Sequence, residues 1–229
     1  MSVPSTLAAH RYFRSFDAET CKGLDRQCIW LRTTAGAWIL DQSATDRDVF
    51  FILSGQLRAV YNNARQDLIF NDMNAGSIFG EMAAIDGAPR AASVFAIVDS
   101  LVAKMPANLF VETMFNNRPL CEAVVKTLIQ RLRAMSSRVS ELGALNVRCR
   151  VHAELLRLAR RDRDDPRRAI IVTPPNQSEL AARINTRRET VSREINAMER
   201  NGLIERRRGA IVITDVLKLS AELQQASSG

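Results

Sequence analysis

The sequence predicts an α+β protein: an antiparallel roll of short strands, then one long helix, then a small helical domain closed by a β-hairpin. Three observations carry this. Between Gly36 and Met105 short apolar runs are broken by Gly, Asn and Asp; after Pro119 apolar residues recur on a seven-residue repeat; beyond Asn176 two helix-start signals and a basic hairpin follow in quick succession.

At 229 residues the chain has the length for two modest domains with cores of their own. Its 46% apolar and 25% charged residues match a globular protein and exclude disordered, collagenous and disulfide-dense classes. No apolar run reaches the ~18 residues of a membrane span. The opening MSVPSTLAAHRYFRSF has neither a basic start nor a continuous apolar stretch, so a cytoplasmic protein with no membrane partner is expected. Cys21, Cys28, Cys121 and Cys149 lie far apart, with no C-x-x-C or Cys/His cluster, so reduced thiols and no metal are expected. His10 and His152 are the only histidines and neither glycine-rich phosphate-loop pattern occurs, which argues against an enzyme.

The roll is read from AWIL, DVFFIL, QLRAVY, DLIF, SVFAIV and SLVAKM, with hairpin turns expected at Ser54-Gly55 and at Asn74 to Gly76. The first thirty residues and Leu109 to Phe115 read as helical. Beyond Pro119, Cys121, Val125, Leu128, Leu132, Met135, Val139 and Leu142 advance in alternating steps of four and three, flanked by Lys126, Arg131, Arg133 and Arg138. That is the seam of a parallel coiled coil, and a homodimer is expected through it. The helix spans roughly 35–40 Å at about 1.5 Å per residue. Gly143 interrupts the repeat and Asn146 suits a helix N-cap, which puts a hinge between them. The expected divisions are a roll domain over 1–117, a dimer helix and hinge over 118–145, and a second domain over 146–229.

In that second domain a helix from Val147 to Arg160 buries Val151, Leu155 and Leu158, and RRDRDDPRR follows as a loop. Asn176 and Glu179 form a capping-box variant that opens a helix carrying Leu180 and Ile184. Thr186 and Glu189 repeat it after about one residue of turn, which is helix-turn-helix spacing. On the second helix Val191, Ile195 and Met198 share one face and leave Arg188, Glu189, Ser192, Arg193 and Asn196 on the other. NGLIERRRGAIVITD then reads as two strands joined by a basic turn closed by Gly209, the wing of a winged helix-turn-helix.

Charge gives this domain a partner. Residues 1–117 hold 10 basic and 12 acidic side chains, whereas 118–229 hold 22 and 13, a net of +9. Of the 32 basic residues 28 are Arg, whose planar fork grips phosphates and guanine edges at two points. A polyanion is the expected partner; the alternative is a basic face that merely solubilises. The polar face of the second helix suits base readout in a major groove, because Arg donates twice to guanine O6 and N7 and Glu accepts from the cytosine amino group. Arg187 would meet phosphates, and Arg206, Arg207 and Arg208 at the wing would add salt-dependent contacts to the backbone. The competing reading is an Arg-rich helix paired internally with Glu179, Glu189 and Glu194.

The sharpest motif is SIFGEMAAIDGAPRAASV. It sets Gly80 and Glu81 at the mouth of a short helix and returns through Gly87-Ala88-Pro89 to Arg90, Ala91 and Ala92. Such a segment can cradle one phosphate. Backbone amides and an Arg fork suit a singly charged phosphodiester, and Glu81 can accept from a ribose hydroxyl. The alternative is that Glu81 and Arg90 simply pair with each other.

F-G-E-M-A-A-I-D-G-A-P-R-A-A-S-V resembles, nearly residue by residue, the phosphate-binding cassette of cyclic-nucleotide-binding domains. RRETVSR resembles the recognition helix of the cAMP receptor protein and fumarate-nitrate-reduction regulator family of bacterial transcription regulators. The order of roll, dimer helix, hinge and winged helix extends that resemblance over almost the whole chain. It implies an allosteric ligand, cAMP or else cGMP, with Glu81 on the ribose 2′-hydroxyl, Arg90 on the cyclic phosphate, and Gly80, Met82, Ala91 and Ala92 completing the cradle. It also implies purine contacts at Met135 and Ser136, where the family carries a Thr-Ser pair; a thioether cannot supply the missing hydroxyl's hydrogen bonds. Ala91 lacks the hydroxyl of cGMP-preferring cassettes, which favours cAMP. DNA contacts are implied at Arg187, Arg188, Glu189, Thr190, Ser192 and Arg193, and at the wing residues Arg206 to Arg208. The implied partners are a palindromic double-stranded operator, a second copy of the chain, and RNA polymerase. Cys21 and Cys28 lack the clustering of relatives that hold an iron-sulfur centre, and the two histidines offer little to haem. Two further readings stay open. One is a regulator of the same family that is ligand-independent or senses another small molecule; the other is a cyclic-nucleotide-binding regulator of a partner protein.

Overall fold

The structure, a computed structural model, describes residues 6–61, 68–162 and 164–227. Residues 1–5 of the expected N-terminal helical stretch and residue 163 of the RRDRDDPRR loop lie outside the described residues. The chain forms two compact units, Met1–Arg131 and Leu132–Gly229.

The first unit opens with single helical turns at Leu7–Ala9 and Arg11–Phe13, then α1 (Ala18–Asp25), whose N-terminus Asp17 caps by accepting from the Thr20 amide at 2.7 Å. The strands β1 (Ile29–Thr33), β2 (Trp38–Leu40), β3 (Val49–Ser54), β4 (Gln56–Tyr61), β5 (Leu68–Asn74) and β6 (Ile78–Phe79) lead to a short helix, α2 (Glu81–Asp86). After it come β7 (Ser93–Ala96), β8 (Ser100–Met105) and α3 (Ala107–Asn116). The strands make two antiparallel sheets, ordered β1-β8-β3-β6 and β2-β7-β4-β5.

The unbroken apolar run in β3 has a simple cause: the strand is covered on both faces. Phe50 and Ile52 pack inward with Leu57, Val94 and Val102, while Val49 and Phe51 pack outward under Phe13, Phe110, Leu120 and Val124. The expected hairpins at Ser54-Gly55 and Asn74 to Gly76 are corrected by this topology. Both are turns, but each passes the chain from one sheet to the other, since β3 pairs with β8 and β6 while β4 pairs with β5 and β7. Gly55 at φ +92 is needed there, because a Cβ would fall 2.0 Å from Ser100 Oγ. The strands β1 and β6 were not foreseen; β1 is largely half-exposed, without a clean alternation, and β6 is two residues long.

The long helix α4 runs from Arg118 to Ala144. Leu120 and Val124 enter the core of the first unit, with Cys121 and Leu128 packed at its edge. Val125, Ile129, Leu132, Met135, Val139 and Leu142 form a ridge that is 44–67% exposed. Gly143 itself stays helical, where nothing crowds it and an interior Gly costs only about 1 kcal/mol, and the chain breaks inside the expected Gly143 to Asn146 interval. The break falls at Leu145 and Asn146, where Asn146 caps α5 (Val147–Leu158) by accepting from the Cys149 amide at 3.0 Å.

The second unit continues with β9 (Arg160–Arg161), β10 (Ala169–Val172), α6 (Gln177–Arg183), α7 (Arg188–Arg200), β11 (Ile204–Arg207), β12 (Ala210–Ile213) and α8 (Val216–Ser227). The expected helix to Arg160 therefore ends at Leu158, and RRDRDDPRR is not wholly a loop, because Arg160 and Arg161 pair with β10. Asn176 caps α6 as expected, accepting from the Glu179 amide at 3.0 Å. The cap position of α7 falls one residue after Thr186. The turn takes Ile184 to Arg187, with Asn185 in the left-handed region at φ 51, and Arg187 holds the cap position without a side-chain bond. Val151, Leu155, Leu180, Val191, Ile195 and Met198 join the wing strands in one core. Among the described residues no helix is long and apolar enough to cross a membrane.

Candidate functional site

The fold of the first unit brings Gly80, Glu81 and Arg90 together at the two ends of α2. Gly80 sits at φ +81, and a Cβ there would meet the Asp48 carbonyl at 2.7 Å and Arg90 Nη1 at 2.8 Å, so the position requires glycine for conformation and for space. The Arg90 side chain is 1% exposed. Its Nη1 donates to the Gly80 carbonyl at 3.1 Å; its Nη2 donates to the Asp48 carbonyl at 2.9 Å and to the Asp46 carboxylate at 3.1 Å. Lys104 reaches both acids, Asp46 at 3.0 Å and Asp48 at 3.1 Å. Burial pulls the Asp46 carboxyl upward, but hydrogen bonds from Lys104 and Arg90 outweigh it and hold its pKa below the usual range.

Glu81 is buried and does not pair with Arg90. Arg131 of α4 donates Nη1 to Glu81 Oε1 at 2.6 Å and Nη2 to the Ile78 carbonyl. Burial pushes the Glu81 carboxyl above its ordinary pKa, with Arg131 and then Arg90 pulling against it. Arg131 thus belongs to the cassette, although the sequence pattern marks it only as a flank of the apolar seam. The available signal was its place three residues, about one helical turn, beyond Leu128, on the side of α4 that packs on the roll.

Two buried polar atoms of opposite kind are left over here. Arg90 Nε, a donor, and Glu81 Oε2, an acceptor, have no hydrogen-bond partner. Each such orphan costs about 1–3 kcal/mol, and a ligand carrying an anionic oxygen and a hydroxyl would satisfy both. The residues therefore suit a small ligand of that kind, with Asp46 as the protein's own anion on the same guanidinium. Ala91 and Met82 are exposed and Ala92 half-buried beside them. Met135 and Ser136 lie exposed on the part of α4 that belongs to the second unit, where Ser136 Oγ donates back to the Leu132 carbonyl at 3.0 Å.

In the second unit, burial of Val191, Ile195 and Met198 turns Arg188, Glu189 and Arg193 to solvent, with Thr190 and Ser192 half-buried beside them and Arg187 exposed at the helix start. Among the described residues none of Arg187, Arg188 and Arg193 takes part in an ion pair. Glu194, one acid that might have neutralised them, is held instead by His152 Nε2 at 2.9 Å and Arg148 Nε at 3.4 Å. The wing differs from expectation. Arg206 donates Nε to Glu199 at 2.9 Å, and Arg207 reaches Glu205 at 2.9 Å, which Arg168 also holds at 3.0 Å. Arg208 alone of the three makes no ion pair among the described residues. Hydrogen bonds from Arg206 and Arg207 hold the Glu199 and Glu205 carboxyls below their ordinary pKa. Among the described residues no cluster of three or more His, Cys, Asp or Glu is placed to hold a metal ion.

A β-roll with a ligand cassette, joined by a long helix to a winged helix-turn-helix, defines a DNA-binding regulator with an allosteric ligand-binding domain. The profile of the cyclic nucleotide-binding domain matches residues 31–117, and that of the Crp-like helix-turn-helix domain matches residues 149–222. The chain belongs to the CRP/FNR family of bacterial transcription regulators, which are not enzymes. It is 23% identical to a CRP-like cAMP-activated global transcriptional regulator of Mycobacterium tuberculosis, over 93% of this chain and 96% of that one. Among solved structures it resembles a mutant of CooA from Carboxydothermus hydrogenoformans, with TM-score 0.75 and 19% identity over 86% of this chain and 88% of that one. It also resembles the c-di-GMP responsive global regulator CLP of Xanthomonas campestris, with TM-score 0.73 and 18% identity over 86% of this chain and 99% of CLP.

Proposed function

We propose that this chain is a homodimeric, cAMP-responsive transcription regulator, in which nucleotide binding in each roll reorients two winged helices onto a palindromic DNA site. The observation that carries the ligand is the unpaired donor and acceptor inside the cassette, Arg90 Nε and Glu81 Oε2. Arg90 takes the cyclic phosphate, Glu81 the ribose hydroxyl, and Arg131 ties Glu81 to the long helix. The exposed ridge from Val125 to Leu142 supports the homodimer, since a heptad seam of this kind is buried by a second copy of itself. Arg188, Glu189 and Arg193 read bases, Arg187, Thr190 and Ser192 steady the helix on phosphates, and RNA polymerase is the protein partner. The Mycobacterium tuberculosis relative is named for activation by cAMP, which supports the same choice.

A coupling of about 1–3 kcal/mol between the two sites raises DNA affinity roughly 5- to 150-fold. Calorimetry with cAMP and cGMP, beside anisotropy on a site selected from random DNA, tests this. cAMP should bind and tighten the DNA complex within that range; no heat from either nucleotide rejects the ligand. A second reading has its own support. Asp46 already sits on Arg90, and Met135 replaces the family's purine-contacting hydroxyl, so another small effector, or none, would run the same scaffold. Strong DNA binding that ignores both nucleotides selects that reading, and a selection returning no DNA site selects a protein partner instead.

A further inference from the structure

We propose that an ionic knot where the long helix meets the winged helix is a releasable latch, fixed on the side of the reading head and detachable on the side of α4. Glu154 of α5 is 1% exposed and lies among guanidinium groups from three helices: Arg157 of α5 in direct contact, Arg183 of α6 at 3.7 Å and Arg138 of α4 at 3.9 Å. The second nitrogen of Arg157, Nη2, reaches across to α4 and meets both oxygens of Glu141, at 2.7 and 2.9 Å. Where α4 has just ended, Arg150 of α5 donates to the Leu145 carbonyl at 3.3 Å.

Apolar packing does not do this job. Among the described residues the buried core of the second unit is built from α5 to α8 and their sheet, without a residue of α4. Leu132, Met135, Val139 and Leu142 point to solvent instead. Apart from Leu145, buried just where α4 ends, the last turns of α4 are held to the head by charge and hydrogen bonds.

The two sides of the knot are unequal. A carboxylate as buried as Glu154 must keep cations beside it, and Arg157 in direct contact and the buried Arg183 supply them from within the head. Arg138 of α4, at 3.9 Å and partly exposed, is the most distant of the three and can turn to water with Glu141. Arg157 then presents one nitrogen outward as a preset socket. Glu141, with a quarter of its side chain exposed, can leave that socket for water at little cost, and no core has to open when it does. This gives the junction two discrete arrangements that differ in what faces Arg157, which is what a switching hinge requires.

Hydrogen exchange on the full-length protein tests the latch without relying on DNA. Glu141→Gln keeps the side chain's shape and removes its charge. Amides of residues 143–150 should then exchange about three- to tenfold faster while those of α7 keep their rates, and Glu141→Gln added to Arg157→Gln should accelerate them no further than Arg157→Gln alone. Unchanged exchange at residues 143–150, or an acceleration spread equally through α7, would overturn the proposal. A second arm rests on the DNA-binding reading. Glu141→Gln should weaken binding to a palindrome about three- to tenfold and leave binding to one half-site unchanged, whereas equal losses on both would overturn the latch. Wild-type protein that binds no DNA would count against the proposed function, and the exchange experiment would still decide the latch.

Discussion

Arg90 in the roll and Arg188 on the recognition helix carry the same side chain in opposite settings. Arg90 is sealed from solvent, with its outer nitrogens committed to two backbone carbonyls and Asp46. Arg188 stands in water with no ion pair among the described residues, as do Arg187 and Arg193. The difference follows from the size of what each would hold. A small ligand offers few contacts, so its site must be ordered beforehand and the cost of ordering met by the fold. A DNA duplex offers many phosphates and releases counterions when they are neutralised, so solvated arginines on a rigid helix suffice. At these two positions the roll keeps a cation inside its packing, and the recognition helix displays one.

The sharpest way to break the comparison is to remove the buried cation. Arg90→Leu should abolish nucleotide-stimulated DNA binding, a loss of up to the full 5- to 150-fold response expected from coupling of about 1–3 kcal/mol, read by anisotropy. It should also lower stability, because the Gly80 and Asp48 carbonyls lose their donor, at about 1–3 kcal/mol for each. Urea denaturation measures that cost. A folded Arg90→Leu protein with its full ligand response would remove the cassette assignment. Arg188→Ala, by contrast, should change stability by no more than about 0.5 kcal/mol.

Acid should separate the units next. His10 is buried against Tyr12 and Phe51, and its pKa is lowered from 6.5 to about 4 by burial, opposed by the hydrogen bond to the Ser77 carbonyl. The folded state therefore refuses a proton that the unfolded chain accepts. Stability is intact above about pH 6.5 and falls as the pH drops toward 4, by about 3 kcal/mol in all. His10→Leu should flatten that slope in denaturation curves taken between these values; an unchanged slope would show that His10 is not its source.

At the exposed end, Arg188→Ala should cost about 1–3 kcal/mol for one base pair in each half-site and relax the preference there. Binding to a panel of single-base variants reads it. A loss uniform across the panel would make Arg188 a phosphate contact and narrow the contrast with Arg90.

The sequence revealed much of this contrast, and its omissions have physical causes. DVFFIL was legible as a strand because its apolar run needs cover on two faces, and the Gly-Glu to Arg spacing marked the cassette because its three principal residues lie within one turn and one helix. Gly55 announced a reversal but not its partner strand, since a turn residue reports local backbone and not the sheet that receives it. Gly143 and Asn146 bracketed the break between the helices, although Gly143 itself stays helical because a glycine's modest cost is easily borne where nothing crowds it. Asp46, Lys104 and Arg131 complete the cassette from distant parts of the chain, so no local spacing could name them. The pairing of Arg206 and Arg207 was hidden for a related reason: RRR reads as free charge until the fold brings Glu199 and Glu205 alongside.

That pairing sets the smallest effect, and it tests whether displayed charge is all equally available. Each phosphate neutralised adds about 0.9 to the magnitude of the slope of log affinity against log salt. Arg208 is free of ion pairs among the described residues, so Arg208→Ala, which removes one phosphate contact from each wing of the dimer, should take about 1.8 off that slope. Arg206 and Arg207 must first leave Glu199 and Glu205, and the carboxylates they abandon then repel the same phosphates. Replacing either by Ala should therefore reduce the slope by less than about half as much as Arg208→Ala. Glu199→Gln should do the reverse, freeing Arg206 and steepening the salt dependence. Equal reductions from all three arginines, measured by anisotropy across a salt series, would show that the wing's ion pairs open fully on DNA and that its charge is displayed as freely as that of the recognition helix.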